Sequence, residues 1–369
     1  MPDNNIKRAI AEPPTNSVVM GPREGFIEDI ATNCDLIIKR IPHDDLVFED
    51  FVVGKYTETK IKICYIKSIA HPKIIKQVKE RISKINIDGI IDSSYIAAFL
   101  NPHKLKFIKS VSSDEKPDVV VSKLLEGRVS IIVDGSPIVL SVPYIFIEDL
   151  QNSNDYYGNS LNVSLKRIIR FLGILVALLL PAFYISIELH NNNILPQHIK
   201  DLMQESRGNS FFPPFIEIIL VLLLFDMLYE ANVSMPKSLG GTASLIGAIV
   251  IGDVATSVGL ISAPVVLVAA VAGLTACLTP NLISQIGFLR LLLCVIGGFW
   301  GLLGVGIAIA VLLLPLLFVK NYGAHILAPI FPLKCADMKD ALTKSPIDKM
   351  IKRPESIPNI NPTRQKKTK

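Results

Sequence analysis

Cysteine, histidine and tryptophan are scarce in this chain. Its 369 residues hold five cysteines, six histidines and one tryptophan. Cys34, Cys64, Cys277, Cys294 and Cys335 never stand as a CxxC pair, and no histidine accompanies them at ligand spacing. Two lie in apolar stretches, where cysteine acts as a small hydrophobe. Neither a disulfide framework nor a metal site is expected. His43, His71, His103, His190, His198 and His325 form no constellation. The chain also has no GxGxxG turn, no P-loop and no nucleophile elbow. Cofactor binding and enzyme chemistry therefore have no residues to attach to. The start, Met1-Pro2-Asp3-Asn4-Asn5, lacks an apolar signal stretch, which leaves membrane insertion to an internal segment.

Charge is missing from whole stretches. None stands between Asp253 and Arg290, and none between Arg290 and Lys320. With 50% hydrophobic residues and a mean hydropathy of +0.44, the chain has two regions suited to different solvents. The expected domains are a soluble α/β (α+β) module over 1–165, an all-α membrane domain over 166–320, and a basic tail over 321–369. The tail carries Lys349, Lys352, Arg353, Arg364, Lys366, Lys367 and Lys369. A solvated tail beside an anionic membrane face is preferred over a nucleic-acid contact.

In the first region, residues 24–40 read as a helix. Residues 59–69 alternate Ile61, Ile63 and Tyr65 with Lys60, Lys62 and Cys64, a half-buried strand. Helices are expected over 73–85, 93–100 and 117–125. Val129–Val133 and Ile138–Val142 flank Asp134-Gly135, a hairpin signal.

In the second region, 171–187 is an uncharged run that contains Pro181 and suits a membrane helix. Lys166, Arg167 and Arg170 before it place the module on the cytoplasmic side. Residues 215–230 are apolar but carry Glu217, Asp226 and Glu230. Three acids disfavour a lipid-facing span, because each costs about 2.5–3.5 kcal/mol at the bilayer centre. This segment is expected as an amphipathic or re-entrant helix, its acids rimming a vestibule or lying at the interface. Segments 239–259, 262–279 and 286–318 complete the set. With both flanks basic and cytoplasmic, the expected topology is four spans plus one embedded helix. Arg290 either pairs with an acid or snorkels to the headgroups, and snorkelling is preferred.

Asp253 is the most informative residue of this region. On an α-helix it shares a face with Thr242, Ile246, Ile249 and Thr256. Two readings stand: a helix lining a cation path, and an interfacial acid. Gly297, Gly301 and Gly304 form a small-residue helix face for packing within the protomer or between subunits.

Gly21-Pro22-Arg23-Glu24-Gly25-Phe26-Ile27-Glu28, then Asn33 and Lys39-Arg40, open an ordered series of blocks that resembles the A subunit of the GerA-type spore germination receptors. Leu124-Leu125-Glu126-Gly127-Arg128-Val129, Asp134-Gly135-Ser136-Pro137, Glu148-Asp149 and Asp155-Tyr156-Tyr157 are similar to later blocks. Arg170, Pro181, Tyr184 and His190 fit the first span. Pro213-Pro214-Phe215-Ile216-Glu217, Glu230-Ala231, Pro236 and residues 247–253 fit the rest. Ser234 and Asp226 depart from the residues common in the family. The family has a further soluble subdomain ahead of the Gly21 block, so the module is expected to be partial. The resemblance implies a multi-pass protein of the endospore inner membrane with both termini cytoplasmic. It also implies a transporter-like B subunit that holds the small-molecule germinant, a C-subunit lipoprotein, and a homo-oligomeric germinant-gated channel for monovalent cations. A non-conducting signalling scaffold and a secondary transporter are the alternatives. No nucleic acid is expected as partner.

Overall fold

Apolar residues on both sides of the central strands build a sheet covered on each face. The computed structural model describes residues 10–13, 21–103, 109–207, 210–235, 247 and 249–365. The chain divides into two compact units, Met1–Arg167 with Leu316–Lys369, and Ile168–Pro315.

The first unit contains α1 (Ile30–Ile38), β1 (Leu46–Val53), β2 (Thr59–Ile66), α2 (Pro72–Ser83), α3 (Ser93–Leu100), β3 (Ser112–Asp114), α4 (Pro117–Leu125), β4 (Val129–Val133) and β5 (Val139–Val142). The strands pair antiparallel in the order β1-β2-β4-β5-β3. Ile61, Ile63, Ile131, Val133 and Leu140 pack on one face with Ile74, Val78 and Ile82 of α2 and Ile96 and Leu100 of α3. Cys64, Ile66, Ile132 and Val139 pack on the other with Ile30, Cys34 and Ile37 of α1 and Val120 and Leu124 of α4. Helices on both faces make the far half of β2 fully buried rather than half-buried. The first helix is shorter than its periodicity predicts. Asp29 caps it by accepting from the Thr32 amide at 2.8 Å.

Residues 316–365 belong to this unit, which corrects the expectation of a solvated tail for that stretch. A small hairpin, β6 (Lys320–Asn321) with β7 (Ala324–His325), brings Tyr322 into the core. The Tyr322 hydroxyl donates to the Leu100 carbonyl at 2.7 Å. Further along, the Ile360 amide donates to Ile69 O at 2.9 Å and Arg353 Nε to Leu125 O at 2.7 Å. Basic composition misled here because Arg353 and Lys344 point into backbone acceptors, although Lys349, Lys352 and Arg364 remain exposed.

The second unit is helical: most of α5 (Ser160–His190), then α6 (Gln197–Arg207), α7 (Pro214–Ser234), a π-helical turn Val250–Val254 running into α8 (Ala255–Ser257), α9 (Ala263–Ala276) and α10 (Ile283–Phe318). Among the described residues, two helices are long and apolar enough to cross a membrane, Ser160–His190 and Pro280–Phe318. The expected four spans are not all of that length.

α10 is two helices. Gly301 has φ 63° and ψ −159°, a region open only to glycine. A Cβ built at Gly297 would lie 3.0 Å from Val305 Cγ2, and one at Gly304 would lie 3.3 Å from Ile296 Cγ2. In a straight helix, residues eight apart are about 12 Å apart along the axis. The chain therefore folds back at Gly301. The reversal stands beside the end of α5, since a Cβ at Gly301 would meet His190 Cβ at 3.1 Å.

Candidate functional site

The first signature block holds structure together. Gly21 has φ +113°, and a Cβ there would meet the Tyr157 ring at 2.5 Å. Gly25 and Phe26 are buried, and the Gly25 amide donates to Ala11 O at 3.1 Å. Glu24 accepts from Arg40 at 2.6 Å and pairs with Lys39 at 3.2 Å. These partners hold its carboxyl below the usual range. Asn33 is fully buried and bonds Ile27 twice, donating from Nδ2 to the carbonyl at 2.6 Å and accepting from the amide at 2.9 Å. The Glu28 carbonyl accepts from the Gly135 amide at 2.8 Å. Pro22 is half-buried and Arg23 exposed.

The later blocks build a buried ion network. Lys123 pairs with Asp114 at 2.6 Å and Glu148 at 3.0 Å. Arg128 pairs with Glu126 at 2.9 Å, bonds Glu148, and donates to Pro143 O at 3.0 Å. Burial alone would raise the Glu148 carboxyl, but Arg128 and Lys123 outweigh it and hold it at about 2. Burial raises Glu126, with Arg128 opposing. Alternating charges with several partners each offset the desolvation of all of them. The network borders a cavity of about 580 Å³ lined also by Tyr156, Asp340, Lys352 and Arg364.

Arg167 is fully buried at the base of α5. It reaches Asp155 at 3.3 Å, the Asp340 carboxylate at 2.9 Å and Ala341 O at 3.1 Å. Sequence counted it as a free flanking charge. It instead ties the pre-helix element to the C-terminal segment. Lys344 completes this clasp by donating to the carbonyls of Asp155, Tyr156 and Gly158.

In the helical unit, the three acids of α7 separate. Glu217 is fully buried and accepts from Ser262 Oγ at 2.7 Å. Asp226 accepts from Arg290 at 2.6 Å. Glu230 is exposed. Arg290 is buried against Asp226, which corrects the snorkelling expectation: a partner was in reach on a neighbouring helix. Arg207 pairs with Glu188, which follows the uncharged run 171–187.

Asp253 lies in the π-helical turn, where five-residue spacing alters the face drawn for an α-helix. It is exposed within the protomer, as are Ile249, Val250, Val254 and Val258. Thr256 is partly buried and spends its hydroxyl on Gly252 O at 2.5 Å. Thr242 and Ile246 lie outside the described residues. Gly297 meets α5, where a Cβ would stand 2.5 Å from Ser186 Oγ. Gly301 and Gly304 serve the reversal, so the three glycines do not form one continuous helix face. No cluster of three or more metal-ligating side chains occurs among the described residues.

An α/β module is followed in the chain by helices, two of them long and apolar enough to cross a membrane among the described residues. The chain belongs to the Bacillus/Clostridium GerA spore germination protein family, whose description matches residues 3–356. The uncharacterized membrane protein YfkQ of Bacillus subtilis is 34% identical over 94% of this chain and 68% of its own length. Spore germination protein KA of Bacillus subtilis is 32% identical over 98% of this chain and 67% of its own. The crystal structure of the N-terminal domain of the A subunit of the Bacillus megaterium spore germinant receptor GerK3 is 35% identical. It covers 33% of this chain and 97% of that one, with a TM-score of 0.28.

Proposed function

We propose that this chain is the A subunit of a nutrient germinant receptor in the endospore inner membrane and forms an oligomeric, germinant-gated cation path. The observation that carries the reading is Asp253, a carboxylate exposed on the protomer amid exposed Ile249, Val250, Val254 and Val258. Lipid does not accept a carboxylate at the bilayer centre without a cost of about 2.5–3.5 kcal/mol. Water in a path between copies does, and a ring of acids favours cations. The alternatives are a non-conducting scaffold and a secondary transporter.

The partners in this reading are a transporter-like B subunit that holds the small germinant and a C-subunit lipoprotein. Germinant acts by stabilising the open assembly more than the closed one. The α/β module over 1–165 and the basic segment over 321–369 lie on the cytoplasmic face. No catalytic step is assigned.

Helix contacts support α7 as a traversal beside α9 and the first half of α10. Phe215 lies by Gly298, and Asp226 by Gly287 and Arg290, so α7 and the first half of α10 run antiparallel. Glu217 with Ser262 and Phe225 with Gly273 make α7 and α9 parallel. α7 then crosses as a span in which Glu217 and Asp226 are partnered by Ser262 and Arg290 of neighbouring elements. The two halves of α10, 283–300 and 302–318, are about 27 and about 26 Å long, close to the hydrocarbon thickness of about 30 Å.

The test is ion flux from liposomes holding the co-expressed subunits, with wild type and Asp253→Asn. Changed flux or selectivity with intact assembly supports the path along this helix. Unchanged flux sinks it and favours the scaffold reading.

A further inference from the structure

We infer that the cavity of about 580 Å³ in the α/β unit binds a small molecule that carries a phosphate group on an apolar body. The site is separate from Asp253 and does not rest on the pore reading.

All its lining residues belong to one compact unit, from the stretches 126–156 and 329–365. Its volume lies in the range of small-molecule sites, about 300–1,000 Å³. Part of the wall is apolar: Ile145, Ile147 and Ile357 are buried, and Met350 and Ile351 are half-buried. Five cations share the lining: Arg128, Lys339, Lys349, Lys352 and Arg364. Arg128 is engaged by Glu126 and Glu148. The other four are exposed and make no ion pair among the described residues.

Four acids line the same cavity, and each already has partners. Glu126 pairs with Arg128 at 2.9 Å, Glu148 with Lys123 at 3.0 Å and Asp340 with Arg167 at 2.9 Å. Asp337 accepts from the amides of Glu355 at 2.9 Å and Ser356 at 2.7 Å. A lone surface lysine is an ordinary solvated group. Here four unpaired like charges line one hollow with partly apolar walls, and such a hollow concentrates counter-ions.

The lining selects the class of ligand. Arginine binds phosphate as a fork and lysine as a point charge. A phosphate group gathers about two negative charges and three acceptor oxygens in one place. The isoleucines and Met350 suit an apolar body beside it. A free phosphate ester and a lipid headgroup share this chemistry.

The experiment uses the full chain in phosphatidylcholine nanodiscs at fixed pH and ionic strength. Equilibrium dialysis measures the binding of naphthyl phosphate, inorganic phosphate and naphthol. Naphthyl phosphate should fill a single saturable site. Inorganic phosphate should bind about tenfold more weakly, because the apolar contact is lost, and naphthol should not compete. The double variant Lys352→Gln with Arg364→Gln should weaken naphthyl phosphate about tenfold. Exposed substitutions of this kind leave folding intact. Lys73→Gln with Lys84→Gln removes the same charge from exposed positions outside the cavity and should change nothing. Phosphatidylglycerol in the nanodisc separates the two sources. Competition with naphthyl phosphate there assigns the site to a lipid headgroup, and unchanged binding assigns it to a free ester. The inference is overturned if wild type shows no saturable binding, if binding survives the cavity variant, if the control pair weakens it equally, or if inorganic phosphate or naphthol binds as well as naphthyl phosphate.

Discussion

The two units bury charge in opposite ways. In the α/β unit the two buried guanidinium groups have several partners each: Arg128 has Glu126, Glu148 and Pro143 O, and Arg167 has Asp155, Asp340 and Ala341 O, with only its Nη2 left over. In the helical unit the charges come as single contacts with atoms left over. Arg290 has Asp226 but leaves Nε and Nη1 unpartnered among the described residues, and Glu217 leaves Oε1. Satisfied networks rigidify a fold. Leftover buried polar atoms mark places where an ion, water or second conformation belongs.

This contrast breaks most readily at the network. Glu148→Gln removes the carboxylate that Arg128 and Lys123 share, leaving them Glu126 and Asp114, and should cost about 3 kcal/mol, read by chemical denaturation of the full chain. The same group sets an acid limit. Its folded carboxyl, at about 2, lies below the unfolded value near 4.5, so its contribution is present above pH 4.5 and is lost as pH falls toward 2. Glu126 is shifted the opposite way, so its contribution is lost as pH rises and partly offsets the loss in acid. Wild type should therefore lose stability across that window, and Glu148→Gln should show a shallower dependence.

Next in size is Gly301→Ala. A Cβ at φ 63° and ψ −159°, next to His190, should cost about 1–3 kcal/mol and lower the yield of monodisperse protein. Asp226→Ala leaves the buried Arg290 alone and should cost about 2 kcal/mol in melting experiments, whereas Glu230→Ala on the same helix should change melting little. A loss of equal size from both would mean that the acids of α7 are equivalent, against the contrast drawn above. The smallest stability effect belongs to Asp253→Asn, within about 0.5 kcal/mol, because the carboxylate touches no ionic partner among the described residues. Its expected effect is on flux.

Local chemistry wrote much of the α/β unit plainly. The helices at 93–100 and 117–125, the strand beginning at Thr59 and the hairpin around Asp134-Gly135 were all legible, since caps, turn residues and alternation act over a few residues. β1 was not, because Leu46–Val53 carries apolar residues in blocks rather than in alternation. β3, three residues long, has no periodicity to read. The signature residues Glu24 and Asn33 announced the family, and only the fold revealed that they bind Arg40 and the Ile27 backbone.

The amino-acid order by itself determined two solvents for two regions, the class of each, and the family. Those are properties of composition and short-range pattern. Which charges meet was decided by tertiary structure alone. Arg290 and Asp226 are 64 residues apart, and Arg167 and Asp340 are 173 apart. Neither pairing follows from helical or strand spacing. The same holds for the reversal at Gly301. A glycine in an apolar run fits helix packing and chain reversal equally well, and the close approach of Val305 to Gly297 selects the second.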